Sequence, residues 1–261
     1  MHRILKTAVV GAALIAAGLG LTQPAAADDL DSIKDAGVMK IAMSGAYPPF
    51  NFVNEQNEVV GFDPSIGQEI GKRMGVKVEV VTTAWDGIIA GLLAGKYDAI
   101  VGSMSITEKR EKVVDFVGPY YRMSRAVFVM DNSPAKSLDD LKDGKIGATL
   151  GETHEKWARE KGGWEVKTYK GLPELLLELE NGRVNAIVAD NIPVLVAIKK
   201  SGLAIRQLDT PNIEGADDKA GIAIRKDNPD LAAAMQKALD EIMADGTYKS
   251  IAMEWIGADI R

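Results

Sequence analysis

Strand-like apolar runs alternate with helix-like segments along this 261-residue chain, and that order restricts the fold more than any other feature. Residues 38–45, VMKIAMSG, form a short strand that runs into a turn. Asp63 and Pro64 then open a helix, with Asp63 as its N-cap and Pro64 at the first helical position. Ile66, Ile70 and Met74 recur at helical spacing and Gly75 marks the stop. Residues 76–82, VKVEVVT, alternate as a strand does; a helix over about 85–94 and the strand YDAIVG at 97–102 follow. Strand–helix–strand order calls for parallel pairing, so the expected fold class is α/β.

The same order then recurs. KIAMSG (40–45) has a loose echo in KIGATLG (145–151), and GKYDAIVG (95–102) is echoed by GRVNAIVAD (182–190), each member of the second pair following an apolar helix. The period is far too long for a solenoid. Two similar α/β lobes fit it, and apolar residues at 46% supply enough core for them. In open α/β sheets ligands sit beyond the carboxyl ends of the strands. Four segments fall there, two from each lobe: 44–47, 102–105, 149–154 and Asp190. If the lobes face each other, these line one cleft.

One stretch beside that cleft, SMSITEKREKVVDFVGPYY (103–121), places two serines and a threonine ahead of Arg110. Thr107 as a helix cap with Arg110 on a wet face is one interpretation. A site for a small anion, above all a carboxylate, is the other, since the planar guanidinium fork matches a carboxylate in bidentate geometry. The formal net charge of −6 argues against a nucleic-acid partner, which would need a basic surface.

The first 27 residues are expected to be a secretory signal peptide. Arg3 and Lys6 form a charged start, residues 8–21 are apolar, and Ala25-Ala26-Ala27 offers an A-x-A cleavage site. About 14 apolar residues fall short of the ~20 that a membrane span needs, so no insertion of the mature chain is expected. Cleavage after Ala27 removes the two positive charges of Arg3 and Lys6 and takes the net charge from −6 to −8. No cysteine follows the cut, which argues against a lipid anchor and fits a periplasmic location. Without cysteine, and with His154 the sole histidine outside the signal, no metal site and no cofactor are expected.

Across the mature chain, in order, AYPPFNF (46–52), GFDPSIGQEIGKRMG (61–75), WDGIIAGLLAGKYDAIVGSMSITEKR (85–110), VDFVGPYY (114–121), GETHEKW (151–157), NGRVNAIVAD (181–190) and DGTYKSIAMEWIG (245–257) resemble the periplasmic polar amino-acid-binding proteins of ABC importers, solute-binding protein family 3. The resemblance implies a two-lobe periplasmic binding protein fold (type II). Lobe one would comprise about 28–123 and 221–261 and lobe two about 124–220. The two hinge strands would cross near 124–126 and 219–221. Tail helices at about 229–244 and 247–255 would return to lobe one. It also implies a monomer that binds an amino acid and hands it to a membrane ABC permease.

Carried position by position, the resemblance gives Arg110 the α-carboxylate, aided by Thr153 at a helix start, where free N–H groups and the helix dipole favour an anion. Asp190 would accept the α-ammonium. Gly102, Ser103 and Ser105 would form a polar wall, and Tyr47 and Trp85 would sandwich the side-chain stem. Thr149 and His154 fall in the same cleft segment.

Ligand identity rests on departures from the family pattern. Some basic amino-acid receptors hold an acidic residue where this chain has Ser44. Arginine receptors often read SATYPPF and GTTHQ; here the stretches are SGAYPPF and GETHE. Glu152 either points to water or faces a cationic ligand side chain. A basic ligand such as arginine or lysine is favoured, with glutamine or glutamate as the alternative. The same fold also hosts periplasmic cyclohexadienyl dehydratases, which would need Glu152 or Asp190 as a general acid. The intact Arg110–Asp190 grip favours plain binding over catalysis.

Overall fold

The structure is a computed structural model that describes residues 29–210, 213 and 218–261; the expected signal peptide lies outside the described residues. Helix α1 (Asp29–Ala36) leads into β1 (Val38–Met43). A small antiparallel sheet follows, formed by β2 (Ala46–Tyr47), β3 (Asn51–Val53) and β4 (Val59–Val60). Next come α2 (Phe62–Met74), β5 (Lys77–Thr82), a 3-10 turn (Trp85–Gly87), α3 (Ile88–Leu93), β6 (Ala99–Ser105), α4 (Glu108–Glu111) and β7 (Val114–Met123). The chain continues through β8 (Arg125–Met130), a 3-10 turn (Leu138–Leu141), β9 (Lys145–Thr149), α5 (Thr153–Lys161), β10 (Glu165–Tyr169) and α6 (Leu172–Glu180). It ends with β11 (Ala186–Asp190), α7 (Asn191–Ser201), β12 (Ile205–Gln207), β13 (Asp218–Arg225), α8 (Pro229–Ala244) and α9 (Thr247–Trp255).

These strands form two five-stranded sheets, ordered β5-β1-β6-β13-β7 and β10-β9-β11-β8-β12. In each, the strands joined by helices pair in parallel, as the strand–helix–strand order requires: β1 with β5 and β6, β9 with β10 and β11. The remaining strands, β13 and β8, run antiparallel to their neighbours. The chain passes from the first sheet to the second through Ser124 alone, between β7 and β8. It returns as β13, where Asp218, Lys219 and Ala220 pair with Met123, Arg122 and Tyr121.

Sheet one is packed by α2 through Phe62, Ile66, Ile70 and Met74 and by α8 through Leu231, Met235, Leu239 and Ile242. Each such side chain, once fully buried, contributes about 1.5–3 kcal/mol. Helices α8 and α9 match the expected tail helices and both contact α2. The start of α2 departs from expectation. Its N-cap is Gly61, at φ 130°, and no side chain caps it. A Cβ there would lie 2.4 Å from the carbonyl oxygen of Phe50, so only glycine fits. Asp63 lies inside the helix and its carboxylate is turned into the core, fully buried.

Candidate ligand-binding site

The carboxyl ends of β1, β6 and β11 and the start of α5 converge on one cavity of about 20 Å³. Its walls are Ser44, Tyr47, Trp85, Gly102, Ser103, Ser105, Arg110, Glu152, Thr153, His154 and Asp190. Of the twelve residues expected there, Thr149 alone is not in the wall; it is buried at the end of β9. The cavity adjoins a larger cleft of about 1000 Å³ that shares Trp85, Arg110, Glu152 and Thr153 and adds Arg125 and Asp218.

Arg110 is placed by the short turn after β6. Thr107 caps α4, its hydroxyl accepting the Arg110 amide at 3.3 Å. The cap thus forms, but the guanidinium turns inward rather than lying on a wet face. Its Nη1 donates to the Ser105 carbonyl at 2.9 Å, and its centre lies 5.7 Å from the Trp85 ring. Burial lowers its pKa, against the raising fields of Glu152, Asp218 and Asp190. The side chain is half-buried, and it makes no ion pair within 4.0 Å among the described residues.

Asp190 closes β11, 6% exposed. It is the positional N-cap of α7, but its side chain caps nothing there. The Tyr47 hydroxyl, arriving from β2 of the small antiparallel sheet, donates to Oδ2. His154 Nε2 lies 3.2 Å from Oδ1, yet that oxygen has no hydrogen bond of proper direction, so the contact is electrostatic. Burial raises the Asp190 pKa, and His154, Tyr47 and Arg125 outweigh it, holding the carboxyl below its usual range. A buried carboxylate, with only the electrostatic contact of His154 on its Oδ1, therefore faces the same cavity as the half-buried Arg110 guanidinium.

His154 is buried at 2% exposure. Its Nδ1 accepts from Arg125 Nε at 3.3 Å, which fixes the tautomer with the proton on Nε2, toward Asp190. Burial lowers its basicity, but Asp190 and Glu152 raise it by more. Glu152 is the N-cap position of α5, although its side chain makes no cap bond and is only 17% exposed. It does not point to water. Burial pushes its pKa up to about 7, with His154 and Arg110 opposing that rise and Asp190 adding to it.

Two contacts bring residues just ahead of helices α5 and α6 against the first half of the chain beside the cavity, Gly171 against Ala46 and Gly151 against Asp86. The Cα of Gly171, at the start of α6, faces Ala46 so closely that a Cβ would lie 2.6 Å from the Ala46 Cβ and carbonyl oxygen. A Cβ on Gly151 would lie 2.9 Å from the Asp86 Cα.

Residues 39–258 match the model of the family described as "Bacterial extracellular solute-binding proteins, family 3". The L-cystine-binding protein TcyJ of Escherichia coli (strain K12) is 31% identical over 98% of this chain and 97% of its own length. The ABC transporter arginine-binding protein 1 of the same organism is 35% identical over 83% of this chain and 90% of its own length. Among solved structures, an ancestral arginine-binding protein bound to arginine is 37% identical, with a TM-score of 0.78, over 85% of this chain and 99% of that one. These relatives are binding proteins rather than enzymes. The chain belongs to the bacterial extracellular solute-binding proteins, family 3.

Proposed function

We propose that this protein is a periplasmic receptor that binds a polar amino acid between two hinged lobes and delivers it to an ABC permease. The observation that carries this is the pairing of complementary charges across one cavity, a half-buried guanidinium and a buried carboxylate. Arg110 calls for a carboxylate and Asp190 Oδ1 for a cation. An α-amino acid brings both on adjacent atoms. Satisfying only one would leave the other buried and costly, which discriminates against simple acids and simple amines.

The paired stretch of residues 121–123 with 218–220 is the proposed hinge between lobe one (about 28–123 and 221–261) and lobe two (about 124–220). A space of about 20 Å³ is roughly one water's worth, which supports a closed arrangement of the lobes that parts to admit an amino acid and closes on it. A basic side chain is favoured. Glu152 lies inside the site, and the Trp85 and Tyr47 rings suit a cationic stem, a contact that contributes about 0.5–2 kcal/mol. The −8 charge of the mature chain adds a salt-screened attraction for cations. The periplasmic location rests on the expected signal peptide and on relatives named as periplasmic or as ABC-transporter proteins. No helix among the described residues is long and apolar enough to cross a membrane.

The test is a thermal-shift screen of the common amino acids with ornithine and L-cystine, followed by calorimetry on the hits and small-angle scattering with and without ligand. A basic amino acid should raise the melting temperature most, since ligand that binds only the folded state stabilises by mass action. The bound protein should show the smaller radius of gyration. Glutamine, glutamate or cystine as the tightest ligand would overturn the basic preference. No response to any amino acid would overturn the receptor itself.

A further inference from the structure

Behind the cavity wall formed by lobe one lies a buried hydrogen-bond network centred on Asp63, which is 0% exposed and does not line the cavity. Tyr120 donates its hydroxyl to Asp63 Oδ1 at 2.7 Å. Asn51 Nδ2 and Ser103 Oγ donate to Oδ2 at 2.6 and 2.7 Å. The Tyr120 oxygen in turn accepts the Ser103 amide at 2.8 Å, so two bonds hold Ser103 in its left-handed backbone conformation, φ 61°. An ionised carboxylate only accepts, and this one fixes the direction of every bond it receives.

That direction propagates. Asn51 must turn its NH2 toward Asp63, so its Oδ1 faces outward, where it accepts the Gly45 amide at 2.9 Å. The amide therefore fits only one way round. Ser44 must then give its own proton to Asn51 Oδ1, at 3.0 Å, while its oxygen accepts the Ala46 amide at 3.2 Å. Ser103 likewise spends its proton on Asp63. Both serines line the cavity, and both are left with lone pairs and no proton to offer it.

We infer that Asp63 is a positioning residue for specificity: through Asn51 it turns the Ser44 and Ser103 hydroxyls into acceptors, so that the wall formed by lobe one selects ligand groups that donate hydrogen bonds. This rests on the receptor function proposed above and narrows its ligand. With Arg110 taking the carboxylate and Asp190 the α-ammonium, Ser44 and Ser103 present acceptors from that wall to the rest of the ligand. The favoured class is an amino acid whose side chain ends in N–H donors. Side chains ending in a carboxylate meet lone pairs there and are rejected. Burial pushes the Asp63 pKa up, against its three hydrogen bonds, to about 6, which leaves it ionised at pH 7.5.

The test measures Kd for L-arginine and L-glutamate by calorimetry at pH 7.5 on wild type, Asp63→Asn and Arg110→Ala. A carboxamide at position 63 points an NH2 at Ser103 or Asn51, releases the serine protons and lets them face the cavity. Wild type should prefer arginine, and Asp63→Asn should shrink the glutamate-to-arginine Kd ratio by about tenfold to a hundredfold, the scale of one hydrogen bond to a charged group. A change of ratio separates this role from a merely structural one, which would weaken both ligands alike. If Asp63→Asn shows no folding transition, Asn51→Leu cuts only the branch to Ser44 and should shift the ratio in the same direction. Tighter binding of glutamate by wild type, or an unchanged ratio in the variant that folds, overturns the inference. Loss of both ligands in Arg110→Ala alongside that unchanged ratio would keep the receptor and reject the relay. Failure of wild type to bind either ligand would reject the relay, while the receptor itself stands or falls on the screen of all amino acids.

Discussion

Gly171→Ala separates closure from folding. The φ of Gly171 is −170°, extended backbone that alanine adopts without strain, so the folded lobe accepts the new methyl. The obstacle is on the other lobe. The added Cβ would lie 2.6 Å from both the Cβ and the carbonyl oxygen of Ala46. Ordinary carbon contacts are about 3.5–4.0 Å, so the lobes must stand off by about 1 Å where they meet. Overpacking of that kind costs about 1–3 kcal/mol, and only when the lobes are closed. Binding draws on the closed population, so the Kd should rise by about five- to 160-fold. Stability without ligand should barely move. Alanine restricts the unfolded chain, which stabilises by about 0.4–1 kcal/mol, while its poorer fit at a helix N-cap offsets that gain. The assay is calorimetry with the tightest amino acid, beside urea melts of the empty protein. An unchanged Kd in both Gly171→Ala and the larger Gly171→Leu would refute the assignment of this contact to closure.

Arg110→Ala strands the ligand carboxylate and should cost roughly 2–5 kcal/mol, a thirtyfold to several-thousandfold loss of affinity; near-native affinity by calorimetry would reject the grip. Asp190→Asn should also weaken binding, by removing the charge that partners the ammonium. Glu152 supplies a pH signature. Its folded-state pKa of about 7 lies above the 4.5 of the free side chain, so the folded protein holds a proton that the unfolded chain has released. Its contribution is therefore present below about 4.5 and is lost as pH rises to about 7. The melting temperature of the empty protein should fall across that window, and less so in Glu152→Gln. Asp63 adds a fall of the same sign between 3.8 and about 6, which the Glu152 variant retains. If Glu152 also faces a cationic ligand, Glu152→Gln should weaken L-arginine binding, and an unchanged Kd would reject that contact.

Local pattern made the strand and helix order legible, and with it the echo of one sheet in the other. α8 and α9 came from the family resemblance, which placed them at about 229–244 and 247–255, where they lie. Side chains whose roles depend on distant partners were harder. Asp63 before Pro64 has the look of a cap, but its donors Tyr120 and Ser103 lie 57 and 40 residues away, and nothing local points to them. His154 looks like an exposed first-turn residue until Arg125 and Asp190, from other strands, enclose it. Arg125 and Asp218 gave no signal at all, since their ion pair at 3.9 Å exists only where β8 and β13 come together beside the cleft. Thr149 failed for a simpler reason. Its position at a strand end fixed its neighbourhood but not the face on which its side chain lies.

The order of strands in the first sheet also governs when the molecule can be completed. β13, from residues 218–225, is inserted between β6 and β7, which end by residue 123. Until that late strand arrives, β6 and β7 have no common neighbour and the sheet stays split. The strands of the second sheet all lie within 125–207 and can assemble as soon as that stretch is free. A chain emerging from its N-terminus thus carries an unfinished first lobe for most of its synthesis. Long-range pairing of this kind is slow, because the loop must close before any contact repays it. For a chain that is to be threaded across a membrane before it folds, the delay is useful. The element that completes the first sheet is thus among the last to leave the ribosome.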